Sequence, residues 1–209
     1  MKVELVCMTE KPVEKIERAA SNCYDSKPSP DGRIMKACYR SGHHSVFEFV
    51  QMHFHIEGVS RALMAQFTRH RTGSFAVRSQ RYVEEGEFEY VTPQSIKEQE
   101  FVRIRYDNVH REIREAYKAF RKAGVPPEDA RFILPNSCTT KMDVSFDMRN
   151  FMKFCNLRMC NKAQWEIREL ACRMRDLVVE QEPMFAEFLV PQCDVLGWCP
   201  EDKTCGRYI

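Results

Sequence analysis

The chain has 209 residues, 44% hydrophobic and 30% charged, with a formal net charge of +2. That length fits one compact domain with a sizeable core, and the balance excludes a disordered chain or bulk electrostatic attraction to nucleic acid. No apolar run approaches the roughly 20 residues that cross a bilayer, and the opening Met1-Lys2-Val3-Glu4 has no signal-peptide core, so no membrane contact and a cytoplasmic location are expected.

Lys2 to Met8 reads as a strand, and Pro12 to about Cys23 as a helix with proline in its first turn. A Pro/Ser/Gly loop leads to a second helix marked by Ile34, Ala37 and Cys38 and ended by Gly42. From Val50 to Glu57 apolar and polar residues alternate, which predicts a half-buried strand. Its His53 and His55 share a face, and a polar sheet face explains them better than a metal site, because no ligand set is completed in sequence. Ser60 to about Thr68 resumes helical spacing, and Arg69 to Ser79 breaks periodicity as a loop. Tyr82-Val83 and Phe88 to Val91 look like strands. Val102, Tyr106, Val109, Ile113, Tyr117 and Phe120 recur at helical spacing, giving a long helix closed by Gly124 and Pro126. Thr140 to Phe146 alternates as another strand, and helices run from about Met148 to Met159 and from about Lys162 to Glu182. Strands and long helices without a βαβ rhythm predict an α+β fold, mostly antiparallel sheet packed with long helices, as a single domain over 1–209.

Two local patterns carry chemistry. Arg69, Arg71, Arg78 and Arg81 fall within thirteen residues, enough to hold a small polyanion, although a solvated charged face has the same appearance. No glycine-rich nucleotide loop of either common type is present, so any nucleotide is held by other means. Ten cysteines are scattered along the chain, and from about residue 190 a tail carries Cys193, Cys199 and Cys205. Their spacing lacks the C-x2-C of a zinc site and supplies only three thiols, so no metal is expected; free thiols are favoured, with a disulfide left open.

Arg69-His70-Arg71-Thr72-Gly73-Ser74 fits the R-H-R-x-x-S signature of flavin-dependent thymidylate synthases, and Ser79-Gln80-Arg81-Tyr82 continues it. Ser45-Val46-Phe47-Glu48, Ile56 to Arg61, Ala130 to Pro135, Asn156-Leu157-Arg158 and Ala163 to Ile167 follow that family's order, so the resemblance runs from Val3 to Leu189. It implies an α+β homotetramer with FAD and substrate where subunits meet. It also implies methylation of deoxyuridine monophosphate (dUMP) to dTMP, with methylenetetrahydrofolate as carbon donor and NADPH reducing the flavin. The Pro-Cys-His motif of ordinary thymidylate synthase is absent, so no cysteine nucleophile is expected.

The resemblance also implies roles for residues. Ser79, Arg81 and Arg131 match substrate-phosphate positions, and Arg158 matches the group that stabilises ionised uracil nitrogen 3. Gln66 faces the pyrimidine, and Arg69 and Gln80 complete the dUMP set. Ser45, Glu48, Arg69, His70, Arg71, Asp147, Arg149 and Lys153 match flavin positions, with His43 at the entrance. Ser45 and Glu48 also read as a capping box, and Arg131 as a partner for Glu128. The chain departs from the family at Val77, where a hydrogen-bonding side chain is usual and Arg78 is the candidate replacement. Asp147, Lys153 and Lys162 are further departures; Arg149 would have to offset Asp147, and Lys162 could meet FAD phosphate. Two alternatives stay open: transfer of a different one-carbon group, and nucleic-acid binding by the Arg69–Arg81 loop.

Overall fold

The computed structural model describes residues 1–23 and 25–208. The elements run β1 (Lys2–Met8), α1 (Pro12–Asn22), α2 (Arg33–Arg40), a 3-10 turn (His44–Phe49), β2 (Gln51–Ser60), α3 (Arg61–Phe67) and β3 (Ser74–Val77). Then come α4 (Gln94–Lys97), α5 (Glu100–Lys122), α6 (Pro127–Ala130), β4 (Thr139–Asp147), α7 (Met148–Arg158), α8 (Trp165–Gln181) and α9 (Gln192–Leu196). The fold is α+β with one antiparallel sheet in the order β1-β2-β4-β3. Its register follows from the ladder ends. Thr9 N–H donates to Gln51 O, Met148 N–H to Val50 O, Arg61 N–H to Cys138 O and Arg78 N–H to Lys141 O, at 2.8–3.0 Å.

Alternation in the sequence decides which strand face is buried. Met52, Phe54 and Ile56 on β2, and Met142, Val144 and Phe146 on β4, are at most 1% exposed. His53, His55 and Asp143 stand on the opposite, half-exposed face, where His53 Nε2 lies 2.9 Å from Asp143 Oδ1. Such a pair is the polar sheet face expected for these histidines.

The chain divides into two compact units. One comprises 1–2, 56–67 and 76–142; the other comprises 3–55, 68–75 and 143–209. In the first, Leu63, Phe67, Phe88, Tyr117 and Cys138 are buried, and α5 buries only His110 and Tyr117 along its 23 residues. Tyr106, Val109 and Ile113 are half-buried, and the ends of the helix are open: Phe101 is 84% exposed and Ile104 48%. In the second, Ile16, Phe47, Phe54, Phe151, Phe154, Leu170 and Phe188 are fully buried. Glu17 is buried with them because its carboxylate accepts the Ser29 and Met35 N–H groups at 2.8 and 2.7 Å.

Three differences from the sequence reading have physical causes. The 69–79 segment is not all loop, because Ser74–Val77 gains backbone partners on β4 as a four-residue edge strand. Tyr82-Val83 forms no strand, and Phe88 to Val91 contributes one bridge, Tyr90 to Cys138. There the aromatic residues are used for stacking instead, with Tyr90 4.0 Å from the His110 ring. Helix α8 begins at Trp165 rather than Lys162, since the Gln164 side chain caps the Glu166 and Ile167 N–H groups.

Gly73 shows how closely one loop is packed. A Cβ there would stand 2.7 Å from the Phe146 ring, itself buried. Gly73→Ala should therefore destabilise the protein by about 1–3 kcal/mol through overpacking, read as a lower urea midpoint. An unchanged midpoint would show that the ring yields freely.

Candidate active site

Gln66, Ser79, Gln80, Arg81 and Arg131 lie in the first unit. The Ser79–Arg81 segment turns sharply after β3, and Ser79 Oγ accepts the Arg81 N–H at 3.2 Å. Arg81 Nε donates to Glu128 Oε2 at 2.7 Å, while Arg131 Nε donates to the Glu128 carbonyl at 3.0 Å. One residue thus gathers both guanidinium groups. A pair between Arg131 and the Glu128 carboxylate was the alternative to a phosphate role; the carboxylate instead meets Arg81, and Arg131 takes the backbone oxygen. Gln66 makes a single long contact within α3, Nε2 to Ala62 O at 3.5 Å.

Gln80 does not face outward. Its side chain is 8% exposed and its amide points at the Cys138 sulfur, 3.5 Å away. Burial pushes the Cys138 thiol up to about 11, so it is held as a neutral thiol. Arg78 is also engaged, since its Nη2 lies 3.2 Å from Glu85, which is 3% exposed. Burial raises the Glu85 carboxyl, and Arg78 and Arg61 partly offset it. Arg78 thus directs Nη2 at Glu85. Arg61, which sequence reasoning passed over, donates from Nη1 to the Arg78 carbonyl at 3.3 Å and braces the backbone just before Ser79. Its place at the start of α3 was visible; its partner was not.

The second unit holds His43, Ser45, Glu48, Arg69, His70, Arg71, Asp147, Arg149, Lys153 and Arg158. The 3-10 turn has His43 at its N-cap and no side-chain cap, so Ser45 and Glu48 do not form the expected capping box. Glu48 pairs with Arg149 across 101 residues of sequence instead. The Arg149 Nε is buried and has no partner. Asp147 caps α7, its Oδ1 accepting the Asn150 N–H at 2.8 Å and its Oδ2 the Asn150 side chain at 2.6 Å. Its charge is thus absorbed by the helix terminus rather than by Arg149. Lys153 is exposed, and Lys162 lies 3.6 Å from Glu201 in the tail.

Arg158 closes the arrangement. Its Nε donates to His70 Nε2 at 3.0 Å, and the His70 ring stands edge-on to Phe154 at 5.0 Å. The turn is fixed by Arg71 N–H to Arg69 O and by Gly73 N–H to His70 O, leaving Arg69 and Arg71 exposed on either side. Two exposed arginines and the half-buried Arg158 around a half-buried neutral imidazole are suited to anions and to a flat polar ring.

Burial first, and then the Arg158 charge, lowers His70 from 6.5 to about 4. A depressed histidine pKa means that the unfolded chain binds the proton more readily. Its contribution to stability is full above pH 6.5 and is lost as pH falls toward 4. Thermal midpoints measured from pH 7 to pH 4 should fall less steeply in His70→Gln than in the unaltered chain. Parallel profiles would show that His70 titrates normally.

Comparison with known proteins identifies the family. A family model described as thymidylate synthase complementing protein matches residues 4–184. The chain is 38% identical to the flavin-dependent thymidylate synthase of Geobacter sulfurreducens, covering 99% of this chain and 94% of that one. It is 34% identical to that of Nitratidesulfovibrio vulgaris, covering 99% and 95%, and 35% identical to that of Pyrococcus abyssi, covering 96% and 90%. The chain belongs to the thymidylate synthase complementing protein family, that of the flavin-dependent thymidylate synthases.

Proposed function

We propose that this enzyme, one domain over 1–209, converts dUMP to dTMP with methylenetetrahydrofolate as carbon donor and FAD, reduced by NADPH, as redox cofactor. The observation that carries the reading is the convergence of Arg81 and Arg131 on Glu128. A half-exposed ion pair is worth about 1 kcal/mol or less, so a substrate phosphate can exchange for the carboxylate at little cost. Ser79 offers its hydroxyl beside them, and Gln66 reads the pyrimidine edge as donor and acceptor.

The second unit suits the flavin. Arg69, His70, Arg71 and Arg149 would hold it, with Ser45, Glu48, Asp147 and Lys153 beside them and His43 at the entrance. The unpartnered buried Nε of Arg149 is the fit expected of a site completed by an acceptor such as a phosphate oxygen. When bound, FAD supplies the hydride that the new methyl group requires. The protein's part is electrostatic: Arg158, oriented through Nε by His70, keeps its remaining N–H groups for negative charge growing on the uracil. Neutral, buried Cys138 and Cys155 are poor candidates for covalent attack, in keeping with a reaction without a cysteine nucleophile. Among the described residues no helix is long and apolar enough to cross a membrane, and a cytoplasmic setting fits the substrates.

Self-association into a homotetramer is part of the proposal. Its support is the uncovered stripe of α5, where Phe101, Val102 and Ile104 are exposed. Phe101 and Val102 also line a groove of about 560 Å³.

Arg158→Ala should lower turnover more than flavin content. One charge-assisted contact at a transition state is worth roughly 2–4 kcal/mol, hence roughly 30- to 1000-fold in rate. Near-normal dTMP formation by this variant would remove Arg158 from its role.

Shared sites make a second test available. If Ser79, Arg81 and Arg131 act from one subunit and Gln66 and Arg158 from a neighbour, Arg81→Ala and Arg158→Ala should each be nearly inactive. Unfolded together and reassembled, half of the facing pairs are mixed, and each mixed pair holds one intact site. Activity should recover to roughly a quarter of the unaltered level, given two-fold symmetry. Mixed oligomers with no recovery would place the whole site within one chain.

A further inference from the structure

Helix α5 buries two side chains, and one of them is a histidine that the dTMP reaction leaves without a task. His110 is 3% exposed, and both of its ring nitrogens are engaged. Nδ1 lies 2.7 Å from the Tyr106 carbonyl oxygen, and Nε2 lies 2.6 Å from the Ser137 hydroxyl. A carbonyl only accepts, so Nδ1 carries the proton and the neutral ring presents its lone pair at Nε2. Ser137 donates its O–H to that lone pair. Two tyrosines fix the plane of the ring: Tyr90 stacks on it at 4.0 Å and Tyr106 packs against it at 4.2 Å. Each is itself tethered, Tyr90 to Asp107 at 2.9 Å and Tyr106 to the Val91 carbonyl at 2.8 Å.

We propose that Ser137 and His110 are a nucleophile–base pair that hydrolyses carboxylic esters with an apolar acyl chain. A histidine held only for packing needs its partners but no access. Here the partner on Nε2 is half-buried and stands on the wall of an open groove of about 560 Å³. That volume falls in the range of small-molecule clefts. Phe101, Val102, Val109 and Ile113 line it with hydrocarbon, which suits an acyl chain and not a phosphate. Asn136, next to Ser137, and Arg105 bring side-chain N–H groups to the same lining for a developing oxyanion. The whole arrangement lies in the first unit. Along α5, His110 is nine residues from Phe101, about 13 Å at 1.5 Å per residue. A neighbouring copy seated on the start of the helix would wall the groove at the end away from Ser137.

The chemistry balances with water as the only co-reactant. Ser137 Oγ bonds to the ester carbonyl carbon as its proton passes to His110 Nε2. The bond to the alcohol oxygen then breaks, and the alcohol leaves with that proton. A water molecule attacks the acyl-serine by the same route, with His110 Nε2 again taking and returning a proton. The acid is released and Ser137 is restored, with no change of oxidation state. The Tyr106 carbonyl takes the orienting part that a carboxylate plays in a Ser-His-Asp triad. None of these groups belongs to the dUMP or flavin sets, so the inference stands apart from the methylation.

The test uses the full-length chain in its own state of association, with p-nitrophenyl butyrate as the ester and p-nitrophenol release as the readout. Turnover above the buffer rate is expected. A fluorophosphonate probe should leave one covalent adduct, located at Ser137 by peptide mass spectrometry. Ser137→Ala should fall to the buffer rate and take no adduct, while keeping the far-UV circular dichroism of the unaltered chain. His110→Gln should lower hydrolysis by roughly 100-fold or more, the usual share of a general base. Because turnover and labelling are read first on the unaltered chain, misfolding of a variant does not spare the proposal. No hydrolysis and no adduct in that chain overturns it. Hydrolysis or labelling that persists in folded Ser137→Ala overturns it as well, as does an adduct carried by another residue instead.

Discussion

Several guanidinium groups concentrated in so short a chain must each find an acceptor, and most of the site's geometry follows from how they do. Arg81 and Arg131 share Glu128, Arg78 takes Glu85, Arg149 takes Glu48, and Arg158 takes the neutral nitrogen of His70. These partnerships are of two physical kinds. Glu85 is buried, so breaking its contact with Arg78 would strand a desolvated carboxyl, and that pair belongs to the scaffold. Glu48 and Glu128 are about half exposed, and their pairs cost little to open. The buried pair positions the segment before Ser79; the exchangeable ones orient the arginines proposed to bind anions.

The Arg158–His70 contact combines both qualities. His70 is held by the Gly73 turn and by Phe154, and its depressed pKa keeps it an acceptor through the neutral range. A protonated imidazole would repel Arg158 and lose the hydrogen bond. Burial therefore does for this pair what a carboxylate does elsewhere, and it adds no negative charge beside a site proposed for phosphates and an ionising uracil. An acidic partner would compete with those ligands directly.

Much of this was legible in the sequence. The bounds of β1 match the strand read from Lys2 to Met8, and the alternation around Phe54 and the helical stripe from Val102 to Phe120 marked β2 and α5. The R-H-R-x-x-S segment indicated the family before any coordinate was needed. What stayed hidden was long-range pairing. Strand β3 is four residues long and exists because β4 lies beside it; no local periodicity announces so short an edge. Ser45 and Glu48 had capping-box spacing, but Arg149 offered the carboxylate a charged partner and the cap was not formed. Glu128 and Arg81 are 47 residues apart, and Glu48 and Arg149 are 101 apart.

The central claim is that these arginines serve a flavin-dependent methylation of a nucleotide. Its most direct test is to supply dUMP, methylenetetrahydrofolate and NADPH to the purified chain, with and without added FAD, and to quantify dTMP. The account predicts dTMP in the flavin-loaded sample and none in the flavin-free one. A chain that binds FAD yet forms no dTMP, or one that forms it equally well without flavin, would contradict it.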